Sequence, residues 1–213
     1  MRAVIFANGV LKLWPRHFSL ELRKDLIIAA DGGSRLCRQW KVTPQVVIGD
    51  LDSIDPSELE HLERRGVEIL RHPARKDHTD LELALRLACR RKAREIVILG
   101  ALGERWDMTL ANVLLLSADF LAEVPVKLLD GGDTLELLKG GQTLDIIGEP
   151  GDGLSLIPLT AAASGVTLQG LDYPLTRATL ELGATQGISN RFKRSPARIS
   201  LASGLLLVIH ARR

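Results

Sequence analysis

Cysteine is scarce in this chain: Cys37 and Cys89 stand alone, with no Cys-x-x-Cys pair and no third thiol. That excludes a disulfide framework. Both lie in helical patterns, so we expect reduced, buried thiols in a cytoplasmic protein. A basic block is also missing. The 28 Lys and Arg nearly balance the 26 Asp and Glu, leaving a net charge of +2. Charge therefore gives no reason to expect nucleic acid or a membrane as a partner. No apolar run approaches the roughly 20 residues of a membrane span. The opening run, residues 1–6, is too short and too soon broken for a signal peptide. Repeats and low-complexity segments are absent as well. What remains is ordinary globular composition, 46% hydrophobic and 25% charged over 213 residues. Such a chain forms one large domain or two small ones.

The most informative stretch is Val46-Val47-Ile48-Gly49-Asp50-Leu51-Asp52-Ser53. Its apolar run reads as a buried strand, and Gly49 ends it. In extended chain, carboxylates at i and i+2 fall on one side of the backbone. Two like charges that close repel unless a cation or a shared proton joins them. A hard divalent ion with oxygen ligands suits them, and Mg²⁺ commonly takes one or two carboxylates plus substrate phosphates. The plain alternative is a solvated acidic turn.

In chain order, residues 3–7 predict a strand ending in the tight turn Asn8-Gly9, followed by a polar stretch to Lys24. Residues 26–30 predict a second strand, stopped by Asp31-Gly32-Gly33-Ser34. A helix over 35–40, the Asp50–Asp52 strand, a helix over 57–65 capped by Gly66, and a strand over 67–70 follow. This alternation predicts an α/β fold with a mostly parallel sheet flanked by helices. Ligands bind at the carboxyl edge of such sheets, where Asn8, Asp31, Asp50 and Asp52 would gather. Thr79 and Glu82 fit a capping box ahead of a helix. Asp80 then either favours the helix's positive end or offers a third carboxylate to a metal. The helix start beside Lys76 is also an anion site. A strand over 95–99 leads into the loop 100–107, which matches no standard phosphate-binding glycine pattern. Its Arg105 reads either as a phosphate clamp or as a solvated loop arginine, and Asp107 as the N-cap of a helix over 108–116.

After residues 126–129 the texture changes. Short runs at 134–138, 143–147, 154–157, 165–168, 178–182 and 199–209 are punctuated by glycine pairs. They predict an antiparallel β-sandwich, with domains over 1–130 and 131–213. Residues 187–192 read as a polar loop between strands.

Taken together, these motifs resemble the thiamin pyrophosphokinase (thiamin diphosphokinase) family. The matching pieces are Ala30-Asp31-Gly32-Gly33, Gly49-Asp50-Leu51-Asp52-Ser53 and Lys76-Asp77-His78-Thr79-Asp80. Further on come the 100–107 loop running into Thr109-Leu110-Ala111-Asn112, then Tyr173-Pro174-Leu175 and Gly187-Ile188-Ser189-Asn190. They follow the family's order and span nearly the whole chain. The resemblance implies an N-terminal catalytic domain, a C-terminal sandwich that binds thiamin, and a homodimer with sites at the subunit interface. It implies transfer of diphosphate from ATP to the hydroxyl of thiamin, releasing AMP. Asp50, Asp52 and Asp80 would hold Mg²⁺, and Lys76 and Arg105 would stabilise phosphate oxygens. Asp31, Gly32, Asp77, Thr79, Arg105 and Asp107 would meet or orient ATP. Ser189 and Asn190 would bind the aminopyrimidine. Met108 departs from the family, which commonly has His or Gln there; a thioether cannot donate the hydrogen bond those side chains make.

Three rivals share some of these features. An Asp-x-Asp phosphatase would use the first Asp as nucleophile, but usually after its first strand and with a later acidic pair. A pyrophosphokinase for a hydroxymethylpterin would keep the catalytic half and change the acceptor. A nucleotide-sensing module would not need Lys76, Arg105 and three converging carboxylates.

Overall fold

A computed structural model describes residues 1–75, 77–103 and 105–213. The chain divides into two compact units, Met1–Gly131 and Gly132–Arg213.

Six strands form the sheet of the first unit: β1 (Arg2–Phe6), β2 (Leu26–Ala30), β3 (Val46–Gly49), β4 (Glu68–Arg71), β5 (Glu95–Leu99) and β6 (Val126–Asp130). Their order is β6-β5-β1-β2-β3-β4, and every neighbouring pair is parallel. Parallel neighbours need long crossovers. Helices α1 (Gly33–Gln39), α2 (Pro56–Arg64), α3 (Asp80–Arg90) and α4 (Trp106–Leu115) lie in most of them. The central strand is buried on both faces, with Ala3, Val4, Ile5 and Phe6 fully covered. One face shares a core with Leu36 and Cys37 of α1 and with Leu59 and Leu62 of α2. On the other, α3 packs over β1, β2 and β3 and buries Leu81, Ala84, Leu85 and Ala88.

The β1–β2 crossover carries no helix. The segment expected to be merely polar turns Trp14, Phe18 and Leu20 onto the core. Trp14 meets Trp40 at 5.3 Å and Phe18 at 5.9 Å between ring centroids. These apolar residues follow neither a 2.0 nor a 3.6 period, so periodicity could not reveal them.

Strand order reverses beside β1. The chain steps outward from β1 to β4, then returns to place β5 and β6 on the other side. In open α/β sheets ligands bind in the crevice at the strand C-termini beside such a reversal.

The second unit is an antiparallel sandwich. One sheet orders β12 (Asn190–Arg191), β9 (Gly153–Pro158), β14 (Leu205–Ala211) and β7 (Asp133–Lys139). The other orders β11 (Leu175–Glu181), β10 (Ala162–Gln169), β13 (Ala197–Ser200) and β8 (Thr143–Ile146). Leu138, Leu154, Leu156, Leu206 and Val208 from the first meet Val166, Leu168, Leu180 and Ile199 from the second in one core. The single strand expected over 199–209 is two strands in different sheets, parted at 201–204. Gly204 has φ 94°, and a Cβ there would lie 2.6 Å from the Ala162 carbonyl oxygen. The expected loop at 187–192 contains the short strand β12, paired with β9.

Candidate active site

The crevice is lined by Ala7 to Val10 after β1, Ala30 at the end of β2, and Ala101, Leu102 and Gly103 after β5. Thr79, Asp80 and Leu81 of α3, with Arg105, Met108, Thr109 and Asn112, complete a cleft of about 470 Å³. Close approach of the two loops requires Gly9: its N–H donates to the Gly100 carbonyl at 2.7 Å, and a Cβ would lie 2.4 Å from that oxygen.

Acidic groups collect at the strand ends. Asp31, Asp50 and Asp52 each bring a carboxylate oxygen within 4.8 Å of the others. Exposure rises along the set, from Asp31, only 4% exposed, through half-buried Asp50 to exposed Asp52. Asp31, given by the family resemblance a role in meeting or orienting ATP, stands beside the Asp-x-Asp pair at the carboxyl edge of the sheet. Asp80 reaches the same place from α3, since a Cβ on Gly49 would lie 3.0 Å from both Asp80 Oδ1 and Asp31 Cβ.

The backbone bends to make this cluster. Asp31 has φ 45°, Leu51 φ 65° and Gly49 φ 153°. A non-glycine residue with positive φ costs about 1–3 kcal/mol and persists where its surroundings demand it. At Leu51 that turn drives the leucine into the core beneath α1 and α2, leaving Asp50 and Asp52 at the rim. Asp31 is held by its N–H to the Ile48 carbonyl at 2.8 Å and by the Asn8 amide, which donates to Oδ2 at 3.3 Å. Arg35 in turn donates to Asn8 Oδ1 at 2.6 Å. Gly32 allows this, because a Cβ there would lie 2.2 Å from Asn8 Oδ1. Asp31 Oδ1 is buried and has no hydrogen-bond partner among the described residues.

Thr79 caps α3 as expected, accepting from the Glu82 N–H at 3.2 Å. The Glu82 carboxylate turns to Arg86 and His78. Asp77 is exposed just ahead of the cap, and Lys76 lies outside the described residues. In the last loop the N-cap of α4 is Arg105, not Asp107, and among the described residues no side chain caps it. Asp107 sits in the first turn and pairs with Arg105, with hydrogen bonds of 3.2 and 2.5 Å. Its carboxyl is held below the usual range by that guanidinium, whose own pKa the carboxylate raises. A short acidic side chain two residues from an arginine favours this ion pair over a cap.

In the second unit, Asn190 is 7% exposed and its amide is engaged. Oδ1 accepts from the N–H groups of Tyr173 at 3.0 Å and Arg191 at 2.9 Å, and Nδ2 donates to the Tyr173 carbonyl at 2.7 Å. One amide hydrogen is left. Ser189 is exposed with φ 63°, its N–H donating to Ser155 Oγ at 3.0 Å. Of these partners the sequence placed Asn8 only at the sheet's ligand-binding edge and Tyr173 only in a family-like motif. Arg35 was not singled out, and the contacts of all three required knowing which chain segments meet.

The cysteines are both free; Cys37 is buried, which pushes its thiol pKa up, while Cys89 is only partly covered. Among the described residues, no helix is long and apolar enough to cross a membrane.

Comparison with known proteins identifies the family. A family model described as "Thiamin pyrophosphokinase, catalytic domain" matches residues 19–128. A second, "Thiamin pyrophosphokinase, vitamin B1 binding domain", matches residues 142–206. The thiamine pyrophosphokinase of Bacillus subtilis is 30% identical over 207 residues, covering 97% of each chain. A crystal structure of the Bacillus subtilis thiamine pyrophosphokinase superposes with a TM-score of 0.88 at 28% identity over the whole of both chains. That of a thiamin pyrophosphokinase family protein from Enterococcus faecalis gives 0.86 at 26%, again over both whole chains. With both of its units matched in order, and its acidic cluster at the edge of the matched catalytic unit, the chain belongs to the thiamin pyrophosphokinase family.

Proposed function

We propose that this protein transfers the terminal diphosphate of ATP to the hydroxyethyl oxygen of thiamin, giving thiamin diphosphate and AMP. The observation that carries the reading is the Asp31–Asp50–Asp52 cluster beside the crevice of a chain in this family. Residues 1–130 would be the catalytic domain and 131–213 the thiamin-binding domain.

The thiamin hydroxyl oxygen attacks the β-phosphorus of ATP, the bond from that phosphorus to the α,β-bridging oxygen breaks, that oxygen leaves on AMP, and the hydroxyl proton passes to solvent. The demands are in-line positioning and neutralisation of charge. The donor set fits a hard divalent cation: all-oxygen, anionic, and with an unsatisfied buried oxygen on Asp31. Asp50, Asp52 and Asp80 would hold Mg²⁺, with Asp31 beside them. When bound, the ion supplies charge neutralisation at the phosphate oxygens. The chain's own groups do the rest. Lys76 and Arg105 would stabilise phosphate oxygens, and Asp107 keeps Arg105 oriented until phosphate competes for it. Asp77, Gly32 and the N–H groups at the Thr79 cap would receive the nucleotide. The hydroxyl of Ser189 and the remaining amide hydrogen of Asn190 would meet the aminopyrimidine.

We also propose a cytoplasmic homodimer in which each site draws its acidic cluster from one chain and residues 187–192 from the other. Supporting association, Trp106, Leu110 and Leu114 form an exposed apolar stripe on α4, at 76%, 58% and 53% exposure. Coexpressed Asp50→Asn and Asn190→Ala chains, each inactive alone, should then complement, because one site of the heterodimer collects both lesions and the other neither. Inactive isolated heterodimers would place each site within one chain.

Mass spectrometry of the purified protein with ATP, Mg²⁺ and thiamin tests the reaction. Thiamin diphosphate and AMP should appear in equal amounts. Release of orthophosphate without AMP, or a hydroxymethylpterin accepted in place of thiamin, would overturn the assignment.

A further inference from the structure

We propose that Asp152 and His210 are positioning residues for thiamin binding, setting the Ser189–Asn190 segment from beneath. The inference rests on the reading that this segment contacts thiamin.

The pair is buried in the second unit, Asp152 6% and His210 2% exposed. His210 Nε2 lies 3.0 Å from Asp152 Oδ2. An ionised carboxylate only accepts, so Nε2 carries the proton and Nδ1 is an acceptor. Nδ1 is buried with no hydrogen-bond partner among the described residues. An apolar pair of the same volume would often be as stable or more so. What the polar pair adds is direction.

One carboxylate joins three stretches of chain. Asp152 takes the Glu149 N–H at 3.0 Å within its own turn, the Arg213 N–H at 3.2 Å, and the imidazole of β14. The backbone of Asp152 then grips the functional segment: its carbonyl accepts from the Phe192 N–H at 2.9 Å, and the Gly151 N–H donates to the Phe192 carbonyl at 2.8 Å. The Phe192 ring lies on the His210 imidazole, 4.8 Å between centroids and 30° between planes. Gly148 closes over both, since a Cβ there would lie 2.8 Å from Phe192 and 2.9 Å from His210 Nε2. Phe192 and Asn190 are two residues apart and both buried. One rests on the imidazole and the other clamps Tyr173. Rotation of the imidazole is thus transmitted to Asn190 and Ser189 through two residues of chain.

The test is a set of His210 variants of the full-length protein. His210→Phe keeps a ring beneath Phe192 but removes the bond to Asp152. It should raise the KM for thiamin about tenfold, leaving the KM for ATP and kcat within about twofold. His210→Gln, whose amide can donate to Asp152, should restore the thiamin KM. A lowered Tm with unchanged thiamin KM in His210→Phe marks a purely structural pair and overturns the proposal. Should His210→Phe not fold, hydrogen exchange on the unmodified protein decides: thiamin should slow exchange of the Phe192 amide, and unchanged exchange overturns the proposal. Wild-type protein that forms no AMP with thiamin overturns the functional reading, and this inference with it. Normal turnover with an unaltered thiamin KM in His210→Phe overturns this inference alone.

Discussion

The two ends of the proposed reaction are built on opposite principles. Around Asp31, Asp50 and Asp52 the chain leaves electrostatic demand unmet: like charges converge, an Asp31 oxygen lacks a partner among the described residues, and positive φ angles recur. Around Asn190 the side-chain oxygen and one amide hydrogen are met by the chain's own backbone. Asn190 holds Tyr173 by both backbone groups, and β12 is stitched to β9. The difference follows from ligand charge. In the proposed reaction a cation with phosphates would supply the missing charge, so the first region would be completed only on binding. A flat heterocycle offers few strong contacts, so the second region must be rigid beforehand.

Substitutions that relieve the unmet demand should cost activity most and stability least. Asp50→Asn, Asp52→Asn and Asp31→Asn should each lower kcat by about a hundredfold or more. The metal-free protein should keep its Tm or gain, because each change removes a like charge. Activity within about tenfold of wild type for all three, roughly 1.4 kcal/mol of barrier, would erase the contrast between the regions. Lys76→Met and Arg105→Met should also act on turnover rather than on thiamin affinity, as in the proposed reaction their charges would serve the transferring group. Steady-state kinetics showing weaker thiamin binding at normal kcat would move them to the other region.

Next in size is the rigid side. Asn190→Ala should destabilise the protein by about 1–3 kcal/mol, the cost of losing a buried amide's hydrogen bonds, and should also raise the thiamin KM. Denaturant unfolding checks the first and kinetics the second. An unchanged midpoint would show that water replaces the clamp.

The smallest effect concerns pH. Burial lowers the pKa of His210 below 6.5, with the Asp152 bond only partly opposing it. The unfolded chain therefore takes up the proton first as pH falls, and stability drops from about pH 6.5 downward. Burial also pushes the Asp152 carboxyl up, but the N–H groups of Glu149 and Arg213 and the imidazole outweigh it and leave the pKa lowered. Its contribution is lost only below the ordinary carboxyl value of 3.8. Tm against pH should show the upper step in the wild type and lose it in His210→Phe. A step that survives the substitution belongs to another group.

Features that rest on local chemistry were legible in the chain before folding. Apolar runs between helical patterns predicted the parallel strands, and β5 (Glu95–Leu99) lies where its run predicts. Thr79 caps α3 because a threonine oxygen needs only its own next turn. Asp50 and Asp52 were expected to share a side through extended chain; they share a rim just past β3 instead because Leu51, at φ 65°, turns into the core between them. What depends on distant segments meeting was set by the fold. The strand pattern put Asp31 on the carboxyl edge in advance, but its approach to within 4.8 Å of Asp50 and Asp52 follows from β2 lying beside β3. The run at 199–209 breaks because Gly204 passes against Ala162, more than forty residues away. Asn190, expected in a polar loop, became a clamp because Tyr173 arrives within its reach. Periodicity reports which face of one element is apolar; it carries no record of which polar group another element will bring opposite it.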